Sequence, residues 1–378
     1  MDRIIITNDI REQVKIGREL FKIKANVYTP HMVALVKDAI DRIVQGYSYH
    51  SIKWGDITKE ELFFISIYDY WVVGNNVSEE LYYDFPSKTY EEKMEFLTLR
   101  TRLLYMDHLN NKDDAHLLNN KYEAYKILKP YYKREVIKIE KEDDFIVFED
   151  FVSRHQEYVV KPEGGGLSVG VHKSSINDFS NSKEAFDKYL EEGRNVEQNN
   201  NWIKKSAVVI EEIIEQDERM AAFHPASINS VRITTIKVND EIHLFYPFIR
   251  IGVGGSFISS CATGGVTACV NSDTGIIETD GRTETLFSYQ RHPDTNIEIK
   301  GFQVPEWDNA VKIVKDAAMK FDTIRYIGWD MVLSKRGWCI MEGNFAGEFA
   351  GQIPYQRGFR KEFEELIGWK PNKQFWWE

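Results

Sequence analysis

A lysine followed by a run of glycines is the feature of this sequence that most directly suggests chemistry. The segment YVVKPEGGGLSVGV ends a β-branched run at Lys161 and continues through Gly164, Gly165, Gly166 and Ser168. Glycine allows positive φ, so backbone N–H groups of such a loop can approach an anion closely, and the lysine adds a full positive charge. This combination suits a nucleotide triphosphate. Because the lysine precedes the glycines, the segment is not a GxxxxGK[ST] loop; a plain glycine turn is the alternative.

Two carboxylates and an amide lie on a predicted hairpin late in the chain. In WDMVLSKRGWCIMEGN, Asp330 lies on one strand, and Glu342 and Asn344 lie on its partner beyond the KRG turn. Strand alternation directs Glu342 and Asn344 to one face, and hairpin closure brings Asp330 opposite them. Such hard oxygen ligands suit Mg²⁺, which takes one or two carboxylates and leaves the rest to phosphates and water. An exposed edge hairpin with surface charges is the alternative.

The acidic segment VVIEEIIEQDER lies between these two motifs. Glu211 and Glu212 end an apolar strand, and Ile214 follows them. Such a segment can offer backbone N–H and C=O groups to an adenine edge, while Glu215 or Glu218 could accept the ribose hydroxyls, as acids do in other nucleotide sites. Solvated surface charge is the alternative.

Two arginines lie inside predicted strands, Arg232 in NSVRITT and Arg250 in YPFIRIG. A mid-strand arginine among apolar neighbours usually has an anionic partner. Either one could bind a γ-phosphate or a substrate carboxylate, bidentately where geometry allows; a structural salt bridge is the alternative. Gly264 and Gly265 in the ATGG loop that follows could approach a ligand closely, or form a plain turn.

Composition limits the classes of partner. The 378 residues are 43% hydrophobic with a net charge of −11. This acidic balance argues against nucleic-acid and anionic-membrane binding. Three cysteines without a CxxC pair predict free thiols in a reduced compartment, and no apolar run is long enough for membrane insertion. We therefore expect a cytoplasmic protein, with a homodimer left open.

Hydrophobic periodicity changes near residue 115. Residues 1–115 are predicted to be mainly helical, with capping boxes at Thr58 and Thr89. Residues 116–215 hold the first lysines and the glycine-rich loop, and residues 216–378 hold the acidic hairpin. Within the second part we predict a short helix that breaks at Pro130, a strand and linker at FIVFEDFVSR, a helix near 182–193 and a loop at NVEQNNN.

Together these segments resemble the ATP-grasp superfamily over about residues 118–348. The order is that of the superfamily: a lysine before a helix, a lysine–glycine loop, an acidic hinge strand and a terminal D…E-x-N set. NSVRITT, the ATGG loop, VPEWDNA and GWDMVL…MEGN look most like the sugar-transfer-associated ATP-grasp proteins of bacterial surface-polysaccharide biosynthesis. The resemblance implies an α+β fold, in which two α/β subdomains, residues 116–215 and residues 216–378, clasp ATP and are preceded by the helical region.

The same resemblance implies ATP and one or two Mg²⁺ as ligands. Lys161 would contact the α and β phosphates, with Lys121 of NNKYEAYK as the second phosphate lysine, and the glycine loop would close over the γ-phosphate. Glu211, Glu212 and Ile214 would line the adenine pocket, and Glu218 would be the acid that binds the ribose. The Mg²⁺ ligands would be Asp330, Glu342 and Asn344.

Two positions depart from the pattern. Asn120 stands where many members have an aspartate, and Gly328 stands where D-alanine–D-alanine ligases carry an arginine. An arginine at the reacting centre must therefore come from elsewhere, and Arg232 and Arg250 are the candidates. The predicted substrate contacts are Arg250, Gly264 and Gly265.

By resemblance, the reaction is ligation of a small-molecule carboxylate to an amine (an amino acid, amino sugar or peptide end) through an acyl phosphate. A kinase that phosphorylates a hydroxyl and a catalytically silent nucleotide-binding module are the alternatives.

Overall fold

The computed structural model describes residues 4–50, 57–165, 170–199, 207–255, 259, 264–372 and 376–377. Its first part is helical, as predicted. Both predicted capping boxes are present, at Thr58 with Glu61 and at Thr89 with Glu92. The helices are α1 (Ile10–Ile23), α2 (Pro30–His50), α3 (Lys59–Val72), α4 (Val77–Tyr82), α5 (Tyr90–Met94), α6 (Leu99–Leu109) and α7 (His116–Asn119).

A small antiparallel sheet follows, in the order β1-β4-β2-β3. Its strands are β1 (Val136–Ile139), β2 (Glu157–Pro162), β3 (His172–Ser175) and β4 (Val208–Glu212). The helices of this part of the chain are α8 (Lys121–Tyr132), α9 (Phe145–Arg154) and α10 (Ser182–Asn199). The β-branched run before the glycine loop is confirmed as β2, and the apolar strand that ends at Glu211 and Glu212 is confirmed as β4.

The predicted strand at FIVFEDFVSR is wrong, because this segment forms α9. Phe148, Phe151 and Val152 recur at helical spacing and are buried against α10 and the sheet, whereas Ile146 and Val147 are exposed. These two exposed apolar residues hid the helical period. Helix α8 also continues two residues past Pro130, and α10 extends into the predicted NVEQNNN loop, whose remainder lies outside the described residues.

The larger sheet has seven antiparallel strands in the order β11-β10-β5-β6-β7-β8-β9. They are β5 (Ser230–Val238), β6 (Glu241–Ile251), β7 (Val266–Cys269), β8 (Gly281–Arg282), β9 (Ser288–Tyr289), β10 (Tyr326–Ser334) and β11 (Gly337–Asn344). The accompanying helices are α11 (Glu218–Ala221), α12 (Trp307–Ala318), α13 (Gln352–Tyr355) and α14 (Arg360–Ile367). The predicted hairpin around KRG is confirmed as β10 and β11.

The two faces of the large sheet differ in chemistry. On one face, Ile233, Ile249 and Trp329 pack with α8 and α12 in the main hydrophobic core. Because side chains alternate along a strand, Arg232 and Asp330 point to the other face. On that face Tyr326 packs with α6 and α14. The polar face of the sheet is thus covered by the helical region at one end and is adjacent to the small sheet at the other.

Candidate functional site

A cavity of about 390 Å³ lies between the two sheets. It receives side chains from β2, β4, α8 and β11 and from the segment after β4. Seven of the predicted nucleotide and metal residues line it: Lys121, Lys161, Gly165, Glu211, Glu212, Ile214 and Glu342. Distant segments of the sequence therefore converge as the predicted nucleotide site requires.

The two predicted phosphate lysines face this cavity from different elements. Lys161 and Val159 are two residues apart on β2, so both side chains leave the same face of the small sheet. Lys121 begins α8, and its Nζ donates to the carbonyl of Gly165 in the glycine loop at 2.9 Å. Burial lowers the pKa of Lys121, and the nearby Glu342 carboxylate opposes that effect. The lysine is thus held against the loop that is predicted to cover the phosphates.

Asn120 takes over the local role that an aspartate would have at this position. Its Oδ1 accepts the backbone N–H groups of Tyr122 and Glu123, at 3.0 and 2.9 Å. Asparagine and aspartate are about equally good N-caps. The departure therefore keeps the start of α8, and with it the position of Lys121, intact.

Glu211 is held by two cations rather than pointing freely at the cavity. Its Oε2 lies 2.8 Å from Lys161 Nζ and 2.9 Å from Arg134 Nε, and the residue is only 4% exposed. Burial opposes ionisation, but the charges of Arg134 and Lys161 outweigh it and lower the pKa of Glu211 to about 2. The carboxylate thus fixes the lysine that points at the cavity.

Arg134 is a site residue that the sequence did not reveal. Besides binding Glu211, it donates to the carbonyl of Ile340 at 2.8 Å and to that of Met341 at 3.2 Å, both on β11. It therefore links the small sheet to the strand that carries Glu342. In sequence it is one of several charged residues between α8 and β1, with no pattern to distinguish it.

The acidic segment after β4 is positioned only partly as predicted. Ile214 lines the cavity, while Glu212 accepts the backbone N–H of Glu135 and pairs with Arg336. Glu218, the predicted ribose acid, is exposed at the start of α11 and is not among the residues that line the cavity. Gln216, whose amide donates to the carbonyl of Asn229 at 2.7 Å, lines it instead.

The predicted metal ligands lie together at the hairpin. Asp330 faces Glu342 in the register of β10 and β11, with a bulge directly after this pair, and Asn344 Nδ2 lies 3.4 Å from Asp330 Oδ2. Glu342 makes no hydrogen bond or ion pair through its carboxylate with any residue in the described part of the chain. Burial raises its pKa, and the charge of Lys121 opposes the rise.

Both predicted arginines bind Asp330. Arg232 binds it bidentately, Nε to Oδ1 at 2.6 Å and Nη2 to Oδ2 at 3.0 Å, and Arg250 Nη1 lies 3.0 Å from Oδ1. Burial raises the pKa of Asp330, but these two charges outweigh it and keep the pKa below its ordinary value. A Cβ on Gly328 would lie only 3.0 Å from Arg232 Nη1. The absent side chain at 328 therefore makes room for the arginine of the neighbouring strand.

These donors fit Mg²⁺ in part. Two carboxylates and an amide oxygen on adjacent strands match its preference for a few protein oxygens completed by phosphate and water. Glu342 has its carboxylate free of described protein partners, whereas both oxygens of Asp330 are engaged by arginines and would have to be shared. Within the described ranges, no three His, Cys, Asp or Glu side chains cluster as a self-sufficient metal site. Any Mg²⁺ here would thus depend on phosphate oxygens.

The remaining predicted residues are only partly placed. Gly166 and Ser168 lie outside the described residues. Gly264 has φ +86°, and a Cβ built on it would meet only Val253 among the residues that the structure describes. Neither Gly264 nor Gly265 is among the described residues that line the cavity. Ser259, from the same loop region, does line it.

Comparison with known proteins gives one family assignment. A family model described as sugar-transfer associated ATP-grasp matches residues 100–367. No curated protein matches the chain. Among the helices in the described residues, none has the length and apolar character needed to cross a membrane.

Several solved structures are similar at low identity. D-alanyl-alanine synthetase A from Vibrio cholerae O1 biovar eltor is 12% identical (TM-score 0.40), and the match covers 69% of this chain and 64% of that one. D-Alanine-D-alanine ligase from Helicobacter pylori is 14% identical, with the same coverages and TM-score. N5-Carboxyaminoimidazole synthetase from Staphylococcus aureus, complexed with ADP, is 12% identical (TM-score 0.39) with coverages of 68% and 53%. The chain spans less than two thirds of each, and the family assignment rests on the family model.

Proposed function

The chain belongs to the sugar-transfer-associated ATP-grasp family, and we propose that it is an ATP-dependent ligase that joins a small carboxylate to a small amine. Its fold is the predicted α+β ATP-grasp fold with a helical N-terminal region. One observation carries the proposal: Lys121, Lys161 and Glu342 line one cavity, and Glu342 lies opposite Asp330, the partner of Arg232, on the neighbouring strand. Phosphate-binding cations, a free carboxylate and an arginine are what phosphoryl transfer from ATP to an acid needs.

The cavity wall supports a specific orientation of ATP. Ile213, Ile214 and Met341 give one part of the lining an apolar character, which suits an adenine ring. Lys121 and Lys161 mark the part that suits the phosphates. A volume of about 390 Å³ falls within the usual few hundred to about 1,000 Å³ of small-molecule sites. The γ-phosphate would then lie toward Glu342 and the polar face of the large sheet.

The chemistry would take place in two steps. A carboxylate oxygen of the substrate attacks the γ-phosphorus and the bond to ADP breaks, which gives an acyl phosphate and ADP. The amine then attacks the acyl carbon, phosphate leaves with its electron pair, and the amine loses a proton, so that the products are an amide and inorganic phosphate. No covalent bond to the protein is needed.

This chain's residues would act by position and charge. Lys121 and Lys161 would hold the phosphates. Arg232 has an Nη1 with no described partner and would face the charge that develops on the transferring group. Glu342, Asn344 and Asp330 would hold Mg²⁺, which when bound neutralises phosphate charge. The family's association with sugar transfer makes a product of cell-surface polysaccharide or related small-molecule biosynthesis our proposal.

The test is product analysis. Purified protein is incubated with ATP, Mg²⁺ and pools of carboxylates and amines, and ADP and phosphate release are followed together with the mass of the product. An amide formed in step with ADP supports the ligase. A stable phosphoester would indicate a kinase instead, and nucleotide binding without turnover in every pool would indicate a silent module. Lys121→Gln is the matched variant that should lose ADP formation while remaining folded.

A further inference from the structure

An arginine from the helical region is buried beside the polar face of the large sheet and has no partner among the described residues. Arg102, on α6, is 7% exposed. Its guanidinium donates no hydrogen bond and forms no ion pair with any residue that the structure describes, and its Nε is fully enclosed. A buried charge without a partner is costly. Such a group in a folded protein points to a ligand that completes it.

The position of α6 directs Arg102 toward the site. Asn110, at the end of this helix, donates to the carbonyls of Tyr326 on β10 and Phe345 after β11, at 2.9 and 2.7 Å. Tyr105 and Met106 of α6 pack with Tyr326 in one cluster. Because residues three and four apart share a helix face, Arg102 lies on that face, one turn earlier.

The positive charges of Arg102 and Arg232 both favour ionisation of the same buried hydroxyl, that of Tyr326. Burial raises the pKa of the Tyr326 hydroxyl to about 12, and the charges of both arginines oppose the rise. Tyr326 and Asp330 are four residues apart on β10, roughly 13 Å at about 3.3 Å per residue. The two arginines therefore lie at different ends of the polar face of the large sheet. Arg232 lies at the end with Asp330, and Arg102 lies at the end that the helices cover.

One acid, Glu79, lies near Arg102 without forming an ion pair with it. Glu79 uses its Oε2 to accept the backbone N–H groups of Asn76 and Leu99, both at 2.9 Å. Burial raises the pKa of Glu79 to about 7, although the charge of Arg102 opposes the rise. Glu348 is exposed in the loop after β11, and its negative charge adds to the rise in the pKa of Glu79. This end of the region thus offers one anion-binding group, the guanidinium of Arg102, with which no described carboxylate forms an ion pair.

We infer that Arg102 binds the carboxylate of an amine substrate that carries both groups, as an amino acid does. The inference rests on the proposed ligase and narrows its amine substrate, since an amino sugar offers no carboxylate to Arg102. With its carboxylate on Arg102, the substrate directs its amine toward the Arg232–Asp330 end. Arg102 then fixes specificity, and the helical region forms part of the substrate site.

The test measures thermal melting with defined probes. Protein saturated with Mg²⁺ and a non-hydrolysable ATP analogue is melted with each free L-amino acid, with the matching amino acid amides, with dipeptides and with glucosamine. We expect at least one free amino acid or dipeptide to raise the melting temperature by about 2 °C or more while its amide does not. Free amino acids and dipeptides separate a single amino acid from a peptide end. No stabilisation by any carboxylate-bearing amine would overturn the inference.

Variants separate binding from folding. Arg102→Met should abolish the amino-acid shift, keep the nucleotide shift and melt no lower than wild type without ligands, because no partner is left unpaired. Arg100→Met is the control: Arg100 donates to the Tyr70 hydroxyl at 2.6 Å, so its loss should lower melting but leave the amino-acid shift. The inference would be overturned if Arg102→Met kept the amino-acid shift, or if its melting temperature without ligands dropped strongly. Either outcome would leave the proposed function untouched. Absence of a nucleotide shift in wild type would instead contradict the proposed function.

Discussion

Replacement of Glu211 by glutamine tests the charge network that holds Lys161. Glu211 has a pKa of about 2 against its ordinary value of 4.5. At about 1.4 kcal/mol for each step in pKa, this difference corresponds to roughly 3 kcal/mol of folding free energy at pH 7. Glutamine keeps the shape but leaves Arg134 and Lys161 buried without their counter-charge. For a chain of 378 residues, we therefore expect Glu211→Gln to lower the melting temperature by roughly 4 °C at pH 7.

The sign of the pH dependence follows from the lowered pKa. Folded Glu211 stays ionised to lower pH than unfolded Glu211, so its contribution is complete above about pH 5 and is lost as pH falls toward the folded pKa of about 2. The melting difference between wild type and Glu211→Gln should thus shrink from pH 7 to pH 3. The assay is melting followed by circular dichroism across this range.

Glu212→Gln is the matched control one residue away. Glu212 pairs with Arg336, whose side chain is 61% exposed, and pairs of this kind contribute at most about 1 kcal/mol. Its melting difference should be small at every pH. Equal destabilisation by the two variants, or a Glu211→Gln effect that is the same at pH 7 and pH 3, would refute the assignment of Glu211 as the anchor of Lys161.

Three further predictions concern the site. Gly328→Ala places a methyl group about 3.0 Å from Arg232 Nη1, so we expect about a tenfold or larger loss in kcat with little change in KM for ATP. Gly255→Ala, whose methyl group would meet no described atom within 4 Å, should be neutral. Equal kinetics for the two variants would contradict the role of Arg232. Glu342→Gln should abolish ADP release without lowering the melting temperature, because the carboxylate has no described partner to lose. Asn120→Ala should lower the free energy of unfolding by about 1 kcal/mol through the lost helix cap and should raise KM for ATP. Asn120→Asp should keep both stability and KM at wild-type values. Thermal melting measures the stability, and initial rates measure KM.

Local patterns made the predicted hairpin reliable. The turn fixes the register as far as Met331 opposite Ile340, and unbroken spacing would then place Asp330 opposite Met341. The bulge after Asp330 places it opposite Glu342 instead, which the spacing around KRG does not predict. The capping boxes at Thr58 and Thr89 are likewise confirmed, since each involves residues three apart. The strand at FIVFEDFVSR failed because exposed Ile146 and Val147 masked the helical period.

The sequence by itself determined the residue types of the site and their order along the chain, because strand alternation, turns and caps depend on near neighbours. Only the tertiary structure decided their partners. Arg232 and Asp330 are 98 residues apart, and Arg134 reaches β11 across 206 residues. The packing of a helix against a distant strand leaves Arg102 without a partner among the described residues, and Glu218 is kept out of the cavity by the turn into α11. Charge pairing and burial depend on three-dimensional distance, and a single sequence carries no local signal for it.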